Sequence, residues 1–177
     1  MTAQDHRAVP EYARLCRGVG LGKHRYLEVF PRVRESPALL RVARDPEVRA
    51  KLVEAARVRV LPVPGFAWIN TRIPCIELSW LYLKTGTHRD LYLDMLHELT
   101  HLRQLSEGAD LWDARFAYVD RPTEIEGYAV AVEEGRRLGM TEAELRRHLH
   151  NPWMSAGDVE RLTAHVAAFL ARPAPPA

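Results

Sequence analysis

The chain has 177 residues, 47% of them hydrophobic and 27% charged, and a net charge of +2. That composition fits an ordinary globular protein, long enough to bury a core without metal or disulfide staples. It gives no electrostatic argument for nucleic acid as a partner. The 2 cysteines, Cys16 and Cys75, stand far apart and form neither a disulfide framework nor a Cys-x-x-Cys knuckle.

The first residues, MTAQDHRAVPEYARLCRG, are charged throughout and do not read as a signal peptide. No run approaches the length of a membrane span. The expectation is a cytoplasmic protein with no membrane partner. Residues 1–20 read as a helix or a loose arm. The stretch GVGLGKH (18–24) is glycine-rich but lacks the Gly-Lys-Ser/Thr ending of a phosphate loop, so it reads as a flexible connection.

Residues 25–56 look helical, interrupted near Pro31, Pro37 and Pro46, with Asp45 as an N-cap and Pro46 at the first helical position. VRVLPV (58–63) alternates and is β-branched, which predicts a strand that Pro62 ends or pushes to an edge. GFAWIN (65–70) is a second candidate strand and CIELSWLYL (75–83) a third.

Helical periodicity then takes over. RDLYLDMLHELTHLRQL (89–105) is a helix, 107–122 a connection with one helical turn, and 123–139 a helix that ends at Gly139. Thr141 and Glu144 stand at capping-box spacing. A last helix starts near Gly157, and the Pro/Ala tail at 173–177 is expected to be disordered. Helices, a small sheet and helices again predict one α+β domain over 1–172. Its parts are an N-terminal helical region (1–56), a core at about 57–140 and C-terminal helices (141–171).

The chemistry sits in His97-Glu98-Leu99-Thr100-His101. A helix turns about 100° per residue, so positions i and i+4 share a face, and two imidazoles can meet one ion. Zinc accepts such ligands and keeps an open position for water at catalytic sites. Glu98, about 100° around from His97, is placed to take that water's proton. With Leu91 as zero, the apolar side chains fall within an arc of roughly 0° to 140°, and Asp94, His97, Glu98 and His101 within roughly 240° to 340°. One stripe packs while the other presents ligands. Asp94, one turn before His97, is a candidate for orienting an imidazole.

A third ligand has to come from elsewhere, and the helix starting near Thr123 offers Glu124, Glu126, Glu133 and Glu134. Glu124 lies among Tyr128, Ala131, Val132 and Gly135 on an apolar, small-residue face, where a lone carboxylate is costly unless paired or metal-bound. Glu126 lies about 200° away, beside Glu133 and Arg137, on a charged face. Glu124 is therefore the expected ligand and Glu126 the alternative. Gly127, Ala131 and Gly135 would let the two helices lie close. Candidate oxyanion donors are Tyr118, Arg121 and Tyr128, with Tyr128 favoured because it shares Glu124's side. His148 and His150 read as helix-end residues.

HELTH, followed 23 residues after His101 by a helix that begins RPTEIEGYA, resembles the gluzincin class of zinc metallopeptidases, and in spacing the small minigluzincin and ImmA/IrrE-like members. The resemblance covers roughly residues 65–140. It implies a zincin-like fold, zinc held by His97, His101 and Glu124, and Glu98 as general base. It also implies a small, mostly antiparallel sheet whose edge strand holds an extended peptide or protein substrate, with CIELSWLYL as that strand. Some gluzincins carry an aspartate four residues after the glutamate ligand; here Tyr128 stands there. The expected activity is zinc-dependent hydrolysis of peptide bonds. The rival expectation is a non-hydrolytic metal-binding regulatory or interaction module. The oligomeric state stays open.

Overall fold

A computed structural model describes residues 9–172. It shows an α+β fold, with eight α-helices and one four-stranded sheet among the described residues. The strands are β1 (Gly22–Arg25), β2 (Arg57–Leu61), β3 (Ala67–Asn70) and β4 (Cys75–Ser79), in the order β1-β2-β4-β3. β1 pairs with β2 and β3 with β4 antiparallel, while β2 and β4 run parallel, so the sheet is mixed.

Two sequence expectations are corrected here. The glycine-rich stretch was expected to be a connection, yet its end forms β1, with Gly22 opposite Val60. CIELSWLYL was expected to be one edge strand. Instead β4 stops at Ser79 and lies inside the sheet, buried along its whole length. Ser79 ends it by accepting a hydrogen bond from the Tyr82 backbone N–H, which starts α4 (Trp80–Thr85). The edge next to β4 is β3.

The helical N-terminal region breaks at its prolines into α1 (Tyr26–Val29), α2 (Leu39–Val42) and α3 (Pro46–Ala55). Asp45 caps α3 by accepting from the Glu47 and Val48 N–H groups, and Pro46 stands at its first turn. Part of the expected arm (1–8) and the expected disordered tail (173–177) lie outside the described residues. Within the arm, residues Glu11–Ala13 form a single 3-10 turn.

α5 (His88–Ser106) is the central element, started by Thr87, which accepts from the Asp90 N–H. Its apolar stripe packs beneath the sheet, with Tyr92 against the Phe30 ring and Phe30 against Tyr26, and the Tyr26 hydroxyl donates to the Met95 carbonyl at 3.1 Å. α6 (Pro122–Arg137) lies along α5. Gly139 follows it at φ +78°, a left-handed conformation that a β-carbon would strain. α7 (Glu142–Leu149) opens with the expected Thr141–Glu144 capping box, and α8 (Ala156–Leu170) with a Ser155–Asp158 box. Both cysteines are free.

Candidate metal centre and its cleft

α5 delivers His97, Glu98 and His101 to one place, and the first turn of α6 delivers Glu124. All four are buried, at 7%, 7%, 3% and 5% exposure, which excludes a pair of merely solvated histidines. The Nε2 atoms of His97 and His101 lie 2.8 Å apart. His97 Nε2 lies 3.3 Å from Glu124 Oε2, and His101 Nε2 lies 3.6 Å from Glu124 Oε1. Tetrahedral coordination at ~2.0–2.1 Å sets neighbouring ligand atoms ~3.3 Å apart. The three separations bracket that value, so these residues fit a shared metal ion. Glu124 Oε2 is buried without a hydrogen-bond partner, as expected of a ligand oxygen. Glu126 does not join them. It turns to Arg103, at 2.7 Å, and to the side-chain amide of Gln104.

The close approach of the two helices depends on Gly127. A β-carbon there would lie 2.9 Å from His97 Nδ1 and 3.0 Å from its Cε1. Gly135, two turns on, similarly admits Leu145 and Met140, whose side chains would meet a β-carbon at 2.6 and 3.0 Å. The Tyr128 ring leans on the His97 ring, with centroids 4.3 Å apart.

Without a metal, the electrostatics centre on Glu124. Burial works to raise its pKa, but both imidazoles outweigh that and hold it well below the usual carboxylate range. Burial also disfavours a charged His101 ring, yet the Glu124 and Glu98 carboxylates hold its pKa up at about 9. Glu98 differs. Burial pushes its pKa above the ordinary value, only partly offset by the histidines, and its Oε2 has no partner. A buried carboxylate with one free oxygen and a raised proton affinity is suited to taking a proton.

These groups open onto a cleft of about 1540 Å³. β3 and the turn before it (Pro64, Gly65, Phe66) line the cleft, as do Trp112, Tyr118, Tyr128 and Trp153. The Tyr128 hydroxyl accepts from Asn151 Nδ2 at 2.7 Å and lies 2.9 Å from the Tyr118 hydroxyl. The Tyr118 hydroxyl also reaches the Glu124 carboxylate, so its one proton lies between Tyr128 and Glu124. Arg121 lies over the Trp112 and Tyr118 rings, at 5.6 and 5.8 Å.

Asp94 does not hold an imidazole of the metal group by a hydrogen bond. It accepts from the Tyr82 hydroxyl at 2.5 Å and faces His148 Nε2 at 3.4 Å. His148, expected at a helix end, is turned by α7 into the cleft beside Asp94. His101 Nδ1 instead bonds Gln104 Oε1 at 2.8 Å. Gln104 follows His101 by three residues, a helical-neighbour spacing that carried the signal. Asn151 had no signal, since only the turn after α7 brings it to Tyr128.

Compared with known proteins, the chain matches no family model, and no curated protein or solved structure matches it significantly. Among the described residues, no helix is long and apolar enough to cross a membrane.

Proposed function

We propose that the protein is a zinc-dependent peptidase with a zincin-like core of the gluzincin type, holding zinc through His97, His101 and Glu124. The observation that carries this reading is the combination at one cleft floor: a buried His-His-Glu group beside a buried Glu98 with an unpartnered oxygen. When bound, zinc supplies Lewis acidity, which polarises a carbonyl and brings the acidity of water toward pH ~7.

The chain's residues do the rest. Glu98 takes a proton at its free oxygen and returns it to the departing amine. Its raised pKa brings proton uptake and release closer to neutral pH. Tyr128, with Tyr118 beside it, supplies the O–H that meets the developing oxyanion. β3, last in the sheet, has no strand partner on its outer edge among the described residues, and it lines the cleft. An extended peptide would pair with that edge by backbone hydrogen bonds. This assigns the substrate edge to β3 rather than to β4.

The test is cleavage of a peptide library by zinc-loaded wild type and Glu98→Gln. Wild type cleaves, while the variant keeps its zinc and loses about 10²–10⁴-fold in rate. Equal activity in the two would sink the mechanism. A wild type that binds zinc but cleaves no peptide or protein would favour the non-hydrolytic metal-binding module instead.

A further inference from the structure

We propose that Gln104 is a positioning residue that locks His101 with its proton on Nδ1, and that Glu126 holds Gln104 in the orientation that does so. The two ends of a glutamine amide differ. Its nitrogen only donates, and its oxygen only accepts. Gln104 Nε2 faces two acceptors, Glu126 Oε2 at 2.7 Å and the Thr123 carbonyl at 3.1 Å. Both amide hydrogens are therefore used. A flipped amide would set its oxygen against a carboxylate and a carbonyl, all acceptors. Gln104 Oε1 must then be the atom that faces His101 Nδ1, at 2.8 Å. An acceptor there requires Nδ1 to carry a proton. In the neutral ring that leaves the lone pair on Nε2, the atom directed at His97 and Glu124.

Glu126 is itself held. Its other oxygen forms an ion pair with Arg103 at 2.7 Å, one residue before Gln104 on α5. The chain of constraints runs from Arg103 to Glu126, to the Gln104 amide, to the His101 ring. It ties the position of α6 to the tautomer of a residue on α5. His97 has no counterpart: its Nδ1 is buried with no hydrogen-bond partner, against Gly127 and Tyr128. The site is thus prepared at one imidazole and not at the other. Glu126, the alternative ligand by sequence, acts at two bonds' remove.

The first readout is 15N NMR of histidine-labelled, metal-free protein, at a pH alkaline enough for the His101 ring to be neutral. Wild type is expected to show His101 protonated at Nδ1. Gln104→Leu is expected to lose that preference. The second readout is the zinc dissociation constant by chelator competition, expected to be about 10–100-fold weaker in Gln104→Leu and intermediate in Glu126→Ala. Glu126→Gln, which keeps an acceptor oxygen, is expected to rescue affinity to within a few-fold of wild type. Glu126 is partly exposed, so its variants keep the test open where Gln104→Leu fails to fold. A wild-type His101 protonated at Nε2, or an unchanged tautomer and affinity in folded Gln104→Leu and Glu126→Ala, would overturn the proposal. The affinity readout rests on the metal-binding reading and the tautomer readout does not. A wild type with the expected tautomer that takes up no zinc therefore supports the positioning role and strikes only at the proposed function.

Discussion

Replacing Gly127 with alanine tests whether the contact between α5 and α6 builds the candidate metal centre. The new β-carbon would stand 2.9 Å from His97 Nδ1, 3.0 Å from Cε1 and 3.3 Å from Cγ. Ordinary carbon contact lies at ~3.5–4.0 Å, so the ring must yield by roughly 0.5 Å or more. Metal geometry tolerates about 0.2 Å. The clash therefore exceeds what the site can absorb, although the fold can absorb much of it: overpacking costs about 1–3 kcal/mol, against about 0.5–1 kcal/mol gained by alanine over glycine inside a helix. The metal-free variant is expected to lose up to about 2.5 kcal/mol and to melt within about 10 °C of wild type, while zinc affinity falls at least tenfold. Thermal melting with and without zinc separates the two effects. Zinc at 100 times the wild-type dissociation constant adds about 2.7 kcal/mol, which for a chain of this size raises Tm by roughly 5–11 °C. A variant bound 100-fold more weakly gains about 0.4 kcal/mol, or roughly 1 °C. If Gly127→Ala responds to zinc as wild type does, His97 is not held against α6 as described.

Gly135→Ala makes a complementary prediction. Its β-carbon would meet Leu145 and Met140 rather than a ligand, so overpacking of about 1–3 kcal/mol, offset by about 0.5–1 kcal/mol from alanine in the helix, should lower stability by up to about 2.5 kcal/mol while the folded fraction binds zinc normally; calorimetry and metal titration check both halves. Glu124→Ala should abolish stoichiometric zinc uptake, measured by elemental analysis, while Glu126→Ala should only weaken it. The reverse order would show that the wrong glutamate was assigned. Glu98 makes a prediction about pH. Its pKa is raised in the folded state by burial, so the folded protein holds that proton more tightly than the unfolded chain. The stability that Glu98 contributes to the metal-free protein is therefore full below the ordinary glutamate value of 4.5 and is lost as pH rises through the raised folded value. Metal-free Glu98→Gln should melt higher than wild type at neutral pH, and the gap should close in acid; a gap that does not depend on pH would refute the burial argument.

The metal group was legible because its signals are local. The fourfold spacing of His97 and His101 and the misplaced carboxylate of Glu124 on a small, apolar face are both properties of a single helix. Their meeting required only that those faces pack, and Gly127 marked where. The capping signals at Asp45 and Thr141 were local too. Strand order was not. CIELSWLYL is apolar enough for a strand on either side of Ser79, and nothing in its residues tells an interior strand from an edge. That depends on which partners the rest of the chain supplies. β1 was missed for the same reason, since its strand character comes from pairing with β2 and not from its own glycines. His148 and Asn151 gained their place in the cleft only through the way α7 packs.

The buried Glu77 side chain bears on a different hazard. On the interior strand β4 it accepts from Trp68 Nε1 and Asn70 Nδ2 of β3, both at 2.7 Å, and pairs with Arg59 of β2. A one-residue slip of β3 would turn Trp68 and Asn70 to the opposite face and strand that carboxylate without its donors. The clamp thus fixes the outermost strand in a single register even though its outer edge has no strand partner among the described residues. Open edges of this kind invite sheet-to-sheet aggregation. Here the strand is only four residues long and held in one register, which leaves a second sheet little edge to extend.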